Sequence, residues 1–319
     1  PGRGQSPAVG TFEYAVRQGD VLQPLADYAI ARHYPQLTEL PAEREKNRYL
    51  TFFEAVVEAQ AYLVAKWMLT GFVHGVMNTD NTTISGQTID YGPCAFLDAF
   101  DPAAVFSSID HGGRYAFGKQ PAVLKWNLAR LAETLLTLID STPDDAIAAV
   151  SAVLDTFDER YDGHYATGMA AKLGLAGTLV ERALIDDLLT LLEEHGADWT
   201  GTFRALADEL RGNSTPLDGL VPREHIGPWL ERWRGALTNH GRGAAETANA
   251  MDRVNPLYIP PRNHQLDAAL RAATDGDLAP FENLLEVVTH PFDRRDEWSD
   301  YTTPAPQSFN QTFQTFCGT

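Results

Sequence analysis

The sequence predicts a mainly α-helical protein with a small β component. Apolar residues recur at helical spacing in one segment after another, whereas strand-like runs are few and short. No run reaches the roughly 18 apolar residues that a membrane-spanning helix needs. The first strong element runs from Glu43 to Thr70, where Tyr49, Phe52, Phe53, Val56, Val57, Leu63 and Trp67 follow a helical period. Pro41 precedes this helix and Gly71 ends it. A short β-prone run, Thr82 to Ile89, then turns back, and Gly92-Pro93 breaks the chain behind it. Asp98 to Gln120 is rich in Gly, Ser and Asp and reads as a long loop. From Pro121 onward the expected helices are Leu124–Leu138, Asp145–Arg160, Leu179–Glu194, Trp199–Arg211 and Ile226–His240. Pro260-Pro261 marks a connector to a final helical pair, Gln265–Thr274 and Ala279–Val288. The tail after it, with Pro304 and Pro306, reads as irregular. No internal repeat is present. Residues 1–120 and 121–319 form the expected division, loop-bearing core first and helical remainder second.

Composition narrows the function. The chain has 319 residues, 44% of them hydrophobic, enough for a sizeable core. A net charge of −18 argues against general nucleic-acid binding, which needs basic patches to displace counterions. It leaves ATP binding open, because a metal and a few local cations neutralise phosphates inside an acidic protein. Two cysteines, Cys94 and Cys317, make neither a disulfide scaffold nor a zinc site. With no basic-then-apolar leader at its start, the chain is expected in the cytoplasm, with no membrane partner.

The chemistry concentrates in His74-Gly75-Val76-Met77-Asn78-Thr79-Asp80-Asn81 and, a short run later, Asp90-Tyr91-Gly92. Asp80 and Asn81 place a carboxylate beside an amide, and Asp90 supplies a second carboxylate. Hard oxygen ligands on two neighbouring segments suit Mg²⁺ or Mn²⁺, with substrate phosphates completing the shell. Protein kinases assemble such a site from H-R-D-L-x-x-x-N and D-F-G. Aligned on His74, Asn81 falls on the kinase metal-binding Asn and Asp90-Tyr91-Gly92 on D-F-G. The kinase base position is Val76, which cannot accept a proton. The expected fold is therefore a protein-kinase-like (pseudokinase) large lobe with an α-helical C-terminal extension.

The form H-G-V-M-N-T-D-N followed by T-I-D-Y-G-P and F-L-D resembles the selenoprotein O (YdiU) family of protein adenylyltransferases. Dispersed matches extend the resemblance nearly end to end. They include Gly10-Thr11-Phe12-Glu13-Tyr14, Ala26 to Pro35, Gly113-Arg114-Tyr115, Gln120-Pro121 and Trp126 to Glu133. Asn255-Pro256, Pro261-Arg262-Asn263-His264, Asn283 to Glu286, His290 to Asp293 and Phe316 to Thr319 also fit. The resemblance implies transfer of AMP from ATP, bound inverted relative to kinases, to Ser, Thr or Tyr hydroxyls of protein substrates, with release of pyrophosphate. It gives Asp80 the role of general base, Asn81 and Asp90 the metal, and Asp90 contact with the nucleotide. It also implies that this chain is the large lobe alone, with the small lobe and its lysine missing and weak or no activity by itself. The alternative is a catalytically inactive pseudokinase-like binding module.

Each residue also has a plainer reading. Asp80, Asn81 and Asp90 are turn residues by type. His74 is expected to brace the loop backbone, and Asn78 to hydrogen-bond within it. Arg114 either faces phosphate or substrate or forms an ion pair in the loop. Val64-Ala65-Lys66 mimics the kinase lysine signature, but mid-helix its charge is expected to face solvent. Gly2-Arg3-Gly4 lacks the strand a phosphate loop needs. Trp126, Trp199, Trp229 and Trp233 read as core. The remaining histidines have no zinc spacing. In relatives a C-terminal cysteine pairs with one in the activation loop. The usual partner position is Phe106 here, which leaves Cys94 and Cys317 as either a redox pair or two free thiols.

Overall fold

The structure, a computed structural model, describes residues 6–39, 48–258 and 261–316. Gly2-Arg3-Gly4, Pro41, the first part of the expected long helix, Pro260 and Cys317 lie outside them. The described part is mainly helical and carries one two-stranded sheet.

The helix Arg48–Thr70 is the spine. Phe52, Phe53, Val56, Val57, Ala61, Val64 and Ala65 are fully buried along it. It packs most extensively on the helix Phe157–Lys172, then on Gln120–Ile139 and Pro143–Leu154. One apolar core runs from Val9 to Met251, with elements from both sides of residue 120 in it. A smaller cluster of Leu257, Tyr258, Val287 and Trp298 sits under the C-terminal segment. Among the described residues no helix is long and apolar enough to cross a membrane.

Several helices follow the expected spans closely: Gln120–Ile139, Arg182–His195, Trp199–Leu210, Arg223–His240, Asn263–Thr274 and Ala279–Thr289. Four departures have physical causes. The expected helix Asp145–Arg160 is two helices, Pro143–Leu154 and Phe157–Lys172. At the junction Thr156 Oγ1 donates to the Val153 carbonyl at 2.7 Å, and the Arg160 Nε–H donates to Thr156 Oγ1 at 2.8 Å. Side-chain bonds of this kind compete with the helical ladder. Trp126 is not core: it is 45% exposed, with the guanidinium groups of Arg114 and Arg130 at 5.0 and 5.1 Å from its rings. The tail is partly ordered, with a 3₁₀ helix at Asp296–Thr302 and a helical turn at Gln307–Asn310. Finally, Thr82–Ile89 builds no strand beyond one isolated bridge, Ala8 to Thr83.

The sheet forms around that loop instead. Strand β1, Phe72–Val73, pairs antiparallel with β2, Ala95–Phe96, in the register Phe72 to Phe96 and Val73 to Ala95. So short a ribbon leaves both outer edges needing partners. Buried side-chain amides supply them. Gln120 donates from Nε2 to the Phe72 carbonyl at 2.9 Å and accepts from the His74 N–H at 2.9 Å. Asn263 donates from Nδ2 to the Phe96 carbonyl at 2.8 Å and accepts the Phe96 N–H at 3.3 Å.

Candidate active site

Between β1 and β2 the chain makes the loop that carries Asp80, Asn81 and Asp90, and side chains rather than a strand ladder hold it in shape. Asn127, fully buried, donates from Nδ2 to the Met77 carbonyl at 2.9 Å and to Thr82 Oγ1 at 2.8 Å. Tyr34 donates its hydroxyl to the Ile84 carbonyl at 2.6 Å, and burial pushes that phenol above its ordinary range. Gln60 donates to the Thr83 carbonyl, and the Trp67 indole to Thr88 Oγ1 at 2.9 Å. Thr83 Oγ1 donates to the Gln87 carbonyl at 2.7 Å and closes the turn.

His74 is almost fully buried. Its Nε2 lies 2.9 Å from the Ile89 carbonyl, and its Nδ1 lies 3.4 Å from the Val76 N–H. The two contacts suit a neutral ring protonated on Nε2. Burial is the main influence and lowers its pKa, which the Ile89 carbonyl and Asp90 oppose. His74 thus ties the start of the loop to the residue before Asp90. Gly75 follows with φ +85°, and a Cβ there would stand 2.5 Å from the Pro93 carbonyl oxygen. The loop closes on itself because that side chain is absent.

Asn78 caps the 3₁₀ turn Thr79–Asn81, accepting the Asn81 N–H on Oδ1 at 3.0 Å. The turn holds Asn81 so that its Nδ2 donates to the Val76 carbonyl at 3.1 Å and to Asp90 Oδ2 at 2.7 Å. Both amide hydrogens are then used, and among the described residues Asn81 Oδ1 and Asp90 Oδ1 accept no hydrogen bond. This is a hard-oxygen donor pair of the kind that holds Mg²⁺ or Mn²⁺ together with phosphate oxygens. Among the described residues no group of three or more His, Cys, Asp or Glu gathers as a metal cage, and a nucleotide-sharing site needs none. Asp90 has φ 55°, the one positive φ outside glycine among the described residues. A non-glycine backbone held there costs on the order of 1–3 kcal/mol, and such residues cluster at active sites.

Asp80 is exposed and sits against the first turn of the helix Val9–Val16. A Cβ on Gly10 would lie 2.0 Å from Asp80 Oδ1, so residue 10 is open for this carboxylate. The segment before that helix is fixed by two backbone bonds, Val9 N–H to Thr82 O at 2.8 Å and Ile84 N–H to Pro7 O at 3.0 Å. A helix N-terminus favours negative charge. Among the described residues no Lys or Arg pairs with Asp80 or Asp90.

The structure thus brings Asn81 and Asp90 into contact and sets Asp80 beside them in sequence, on open surface. Lys66 faces solvent with its ammonium 5.0 Å from the Tyr62 ring centroid. Arg114 forms no ion pair among the described residues and turns to Trp126. Cys94 is half-buried, and burial pushes its thiol up to about 11. Cys317 lies outside the described residues; Thr315 donates from Oγ1 to the Pro93 carbonyl at 2.5 Å. Sequence reasoning missed Gln120, Asn127, Asn263 and Gly10 as the parts that hold the site. Their one signal was membership in the dispersed motifs.

Comparison with known proteins finds a family and several relatives named for nucleotide transfer. The pattern of the family described as "Protein adenylyltransferase SelO" matches residues 8–289. The chain is 90% identical over 311 residues to the protein nucleotidyltransferase YdiU of Rhodococcus jostii (strain RHA1), covering 98% of this chain and 60% of that protein. It is 50% identical over 314 residues to the YdiU protein of Cereibacter sphaeroides (strain KD131 / KCTC 12085), covering 98% and 63%. The figures for the YdiU protein of Mycolicibacterium smegmatis (strain ATCC 700084 / mc(2)155) are 49% over 320 residues, covering 98% and 62%. The chain belongs to the SelO family, and it spans about three fifths of the length of these relatives.

Proposed function

We propose that this chain carries the metal and proton-accepting side of a protein adenylyltransferase site built on a kinase-like large lobe. Residues 1–120 carry the site and 121–319 the helical support. The observation that carries the reading is the Asn81–Asp90 contact at 2.7 Å, with one oxygen on each residue accepting no hydrogen bond among the described residues. Asn81 and Asp90 would hold Mg²⁺ or Mn²⁺, and Asp90 would border the nucleotide. The metal, when bound, neutralises charge on the phosphates of ATP. Asp80 takes the proton from a Ser, Thr or Tyr hydroxyl of the protein substrate. The hydroxyl oxygen then bonds to the α-phosphorus as the bond to the bridging oxygen breaks, and pyrophosphate leaves. Positioning and electrostatics supply most of the acceleration in such transfers. A cytoplasmic setting, where ATP and reduced thiols are available, suits the two-cysteine composition.

The decisive experiment is calorimetric titration of Mg²⁺–ATP into the chain, and into the 90%-identical Rhodococcus relative, before and after Asp90→Ala or its equivalent. A fall in affinity of about 10–100-fold is expected, the range seen when metal-site partners are removed. Unchanged affinity in both proteins would sink the metal assignment. Tight binding with no transfer of label from α-labelled ATP in either protein would favour the binding-module reading.

A further inference from the structure

A second charged feature lies away from the Asp80–Asp90 loop. A cavity of about 180 Å³ opens where the ends of the helices Arg48–Thr70 and Phe157–Lys172 meet the start of Trp199–Leu210. Leu69, Trp199 and Pro256 give it apolar walls, and Lys66 and Lys172 are its charged residues. No Asp or Glu lines it, in a chain of net charge −18.

Lys172 is the unusual member. It is 8% exposed, and its ammonium lies 3.9 Å from the Phe203 ring centroid and 5.6 Å from that of Trp199. Among the described residues no carboxylate or carbonyl partners it. An ammonium taken from water without a counter-charge is costly, and aromatic faces repay part of that cost. Burial alone pushes its pKa down to about 7. Two more polar atoms on residues of the same wall, Trp199 Nε1 and Asn255 Oδ1, are buried with no partner. The buried carboxylates Asp98 and Asp198, by contrast, are paired with Arg262.

We propose that this cavity binds a small carboxylate with a flat apolar body, with Lys172 as the cation that receives the carboxylate. The size fits: an apolar cavity of roughly 150 Å³ accepts a benzene-sized molecule. The chemistry fits as well, because an anion is what an unpaired ammonium between aromatic rings lacks. Lys66 at the same wall adds attraction of the same sign. Arg204, behind Asn255, is already engaged, with Asp252 at 3.2 Å and the Asn255 carbonyl at 2.9 Å, so it does not compete for the ligand.

Benzoate is the probe and benzamide its neutral control. Calorimetric titration into the 319-residue chain should show benzoate binding near pH 6 and little from benzamide. Benzoate stays ionised across this range, so its affinity should fall as the lysine loses its proton, approaching about tenfold per pH unit in the alkaline limit. Lys172→Met keeps the length and removes the charge, and it should abolish both the binding and its pH dependence. No binding at pH 6 overturns the proposal. Equal affinity for benzamide, or affinity that does not change between pH 6 and pH 9, overturns it too. Those arms use the unaltered chain, so they decide the matter even if Lys172→Met fails to fold.

Discussion

Four aspartates around the short β1–β2 ribbon divide into two pairs with opposite fates. Asp98 and Asp198 are each 6% exposed, and both are locked on Arg262, itself 2% exposed, at 2.8 and 2.6 Å. A second contact, Arg262 Nη2 to Asp198 Oδ2 at 2.8 Å, makes the Asp198 pairing bidentate. Backbone donors complete the shell: Gly201 N–H to Asp198 Oδ2 at 2.7 Å and Ala305 N–H to Asp98 Oδ2 at 3.2 Å. Asp80 and Asp90, at the other end of the same ribbon, have no guanidinium or ammonium partner among the described residues. Asp90 instead accepts from the neutral amide of Asn81 at 2.7 Å. The closed pair shares one guanidinium, which offsets one of its two charges, with backbone N–H donors around the carboxylates, and it holds the tail to the ribbon. The open pair leaves its charge demand unmet, as a site for a cation and a proton would. The same residue type therefore reads as structure or as chemistry according to whether the fold supplies the counter-charge.

The largest effect is expected from neutralising Asp80, the proposed base of the open pair. Asp80→Asn keeps the size and the seat against Gly10 but removes the proton acceptor. Transfer of AMP should fall by roughly 10²–10⁴-fold, the usual worth of a positioned base, with Mg²⁺–ATP affinity and thermal stability nearly unchanged. The measurement is label incorporation from α-labelled ATP in the Rhodococcus relative carrying the equivalent change. Full activity would break the comparison at its functional end. A large loss of stability would show that Asp80 is a structural aspartate like Asp98.

Arg262→Met tests the closed pair. It strands two buried carboxylates, and removing one partner of a buried ion pair typically costs about 3–5 kcal/mol. Urea unfolding of the chain should show a loss of that order. A change below about 1 kcal/mol would mean that water reaches Asp98 and Asp198 and that the two pairs do not differ in the way described.

These pairs also mark what could be read from sequence. The long helix was legible because Phe52, Val56, Val57 and Val64 repeat a period that one surface buries. The Asp80-Asn81 and Asp90 motif was legible because its spacing is local. The loop between them was misread as strand-like. Thr82, Thr83, Ile84, Thr88 and Ile89 have strand propensity, yet Tyr34, Gln60, Trp67, His74 and Asn127 take up their hydrogen-bonding groups. Propensity is outvoted where tertiary partners satisfy the backbone. The Arg262 cluster was invisible because its partners stand 164 and 64 residues away in sequence. Trp126 was misread because helical spacing says which face a residue shares, not whether guanidinium groups cover that face.

The smallest expected effect concerns the tail that joins the two pairs. It leaves the closed pair at Thr302, whose carbonyl accepts from Arg262 at 2.7 Å. It reaches the open loop at Thr315, which bonds the Pro93 carbonyl beside Cys94 and accepts from the Ser108 N–H at 2.9 Å. We propose that Cys317 pairs with Cys94 under oxidation. Two thiols give up two electrons and two protons, and oxidised glutathione becomes two reduced molecules. The reaction should be slow, because burial pushes the Cys94 thiol up to about 11 and the thiolate is the attacking form. Thr315→Val removes one hydrogen bond, worth about 1 kcal/mol, and should lower the equilibrium constant for the crosslink, the ratio of crosslinked to free chains at fixed glutathione poise, roughly fivefold. Peptide mapping after equilibration with oxidised glutathione reads both numbers. Two free thiols in the unaltered chain would remove the pair. An unchanged ratio in Thr315→Val would show that the tail is held at the open loop by contacts other than the Pro93 carbonyl.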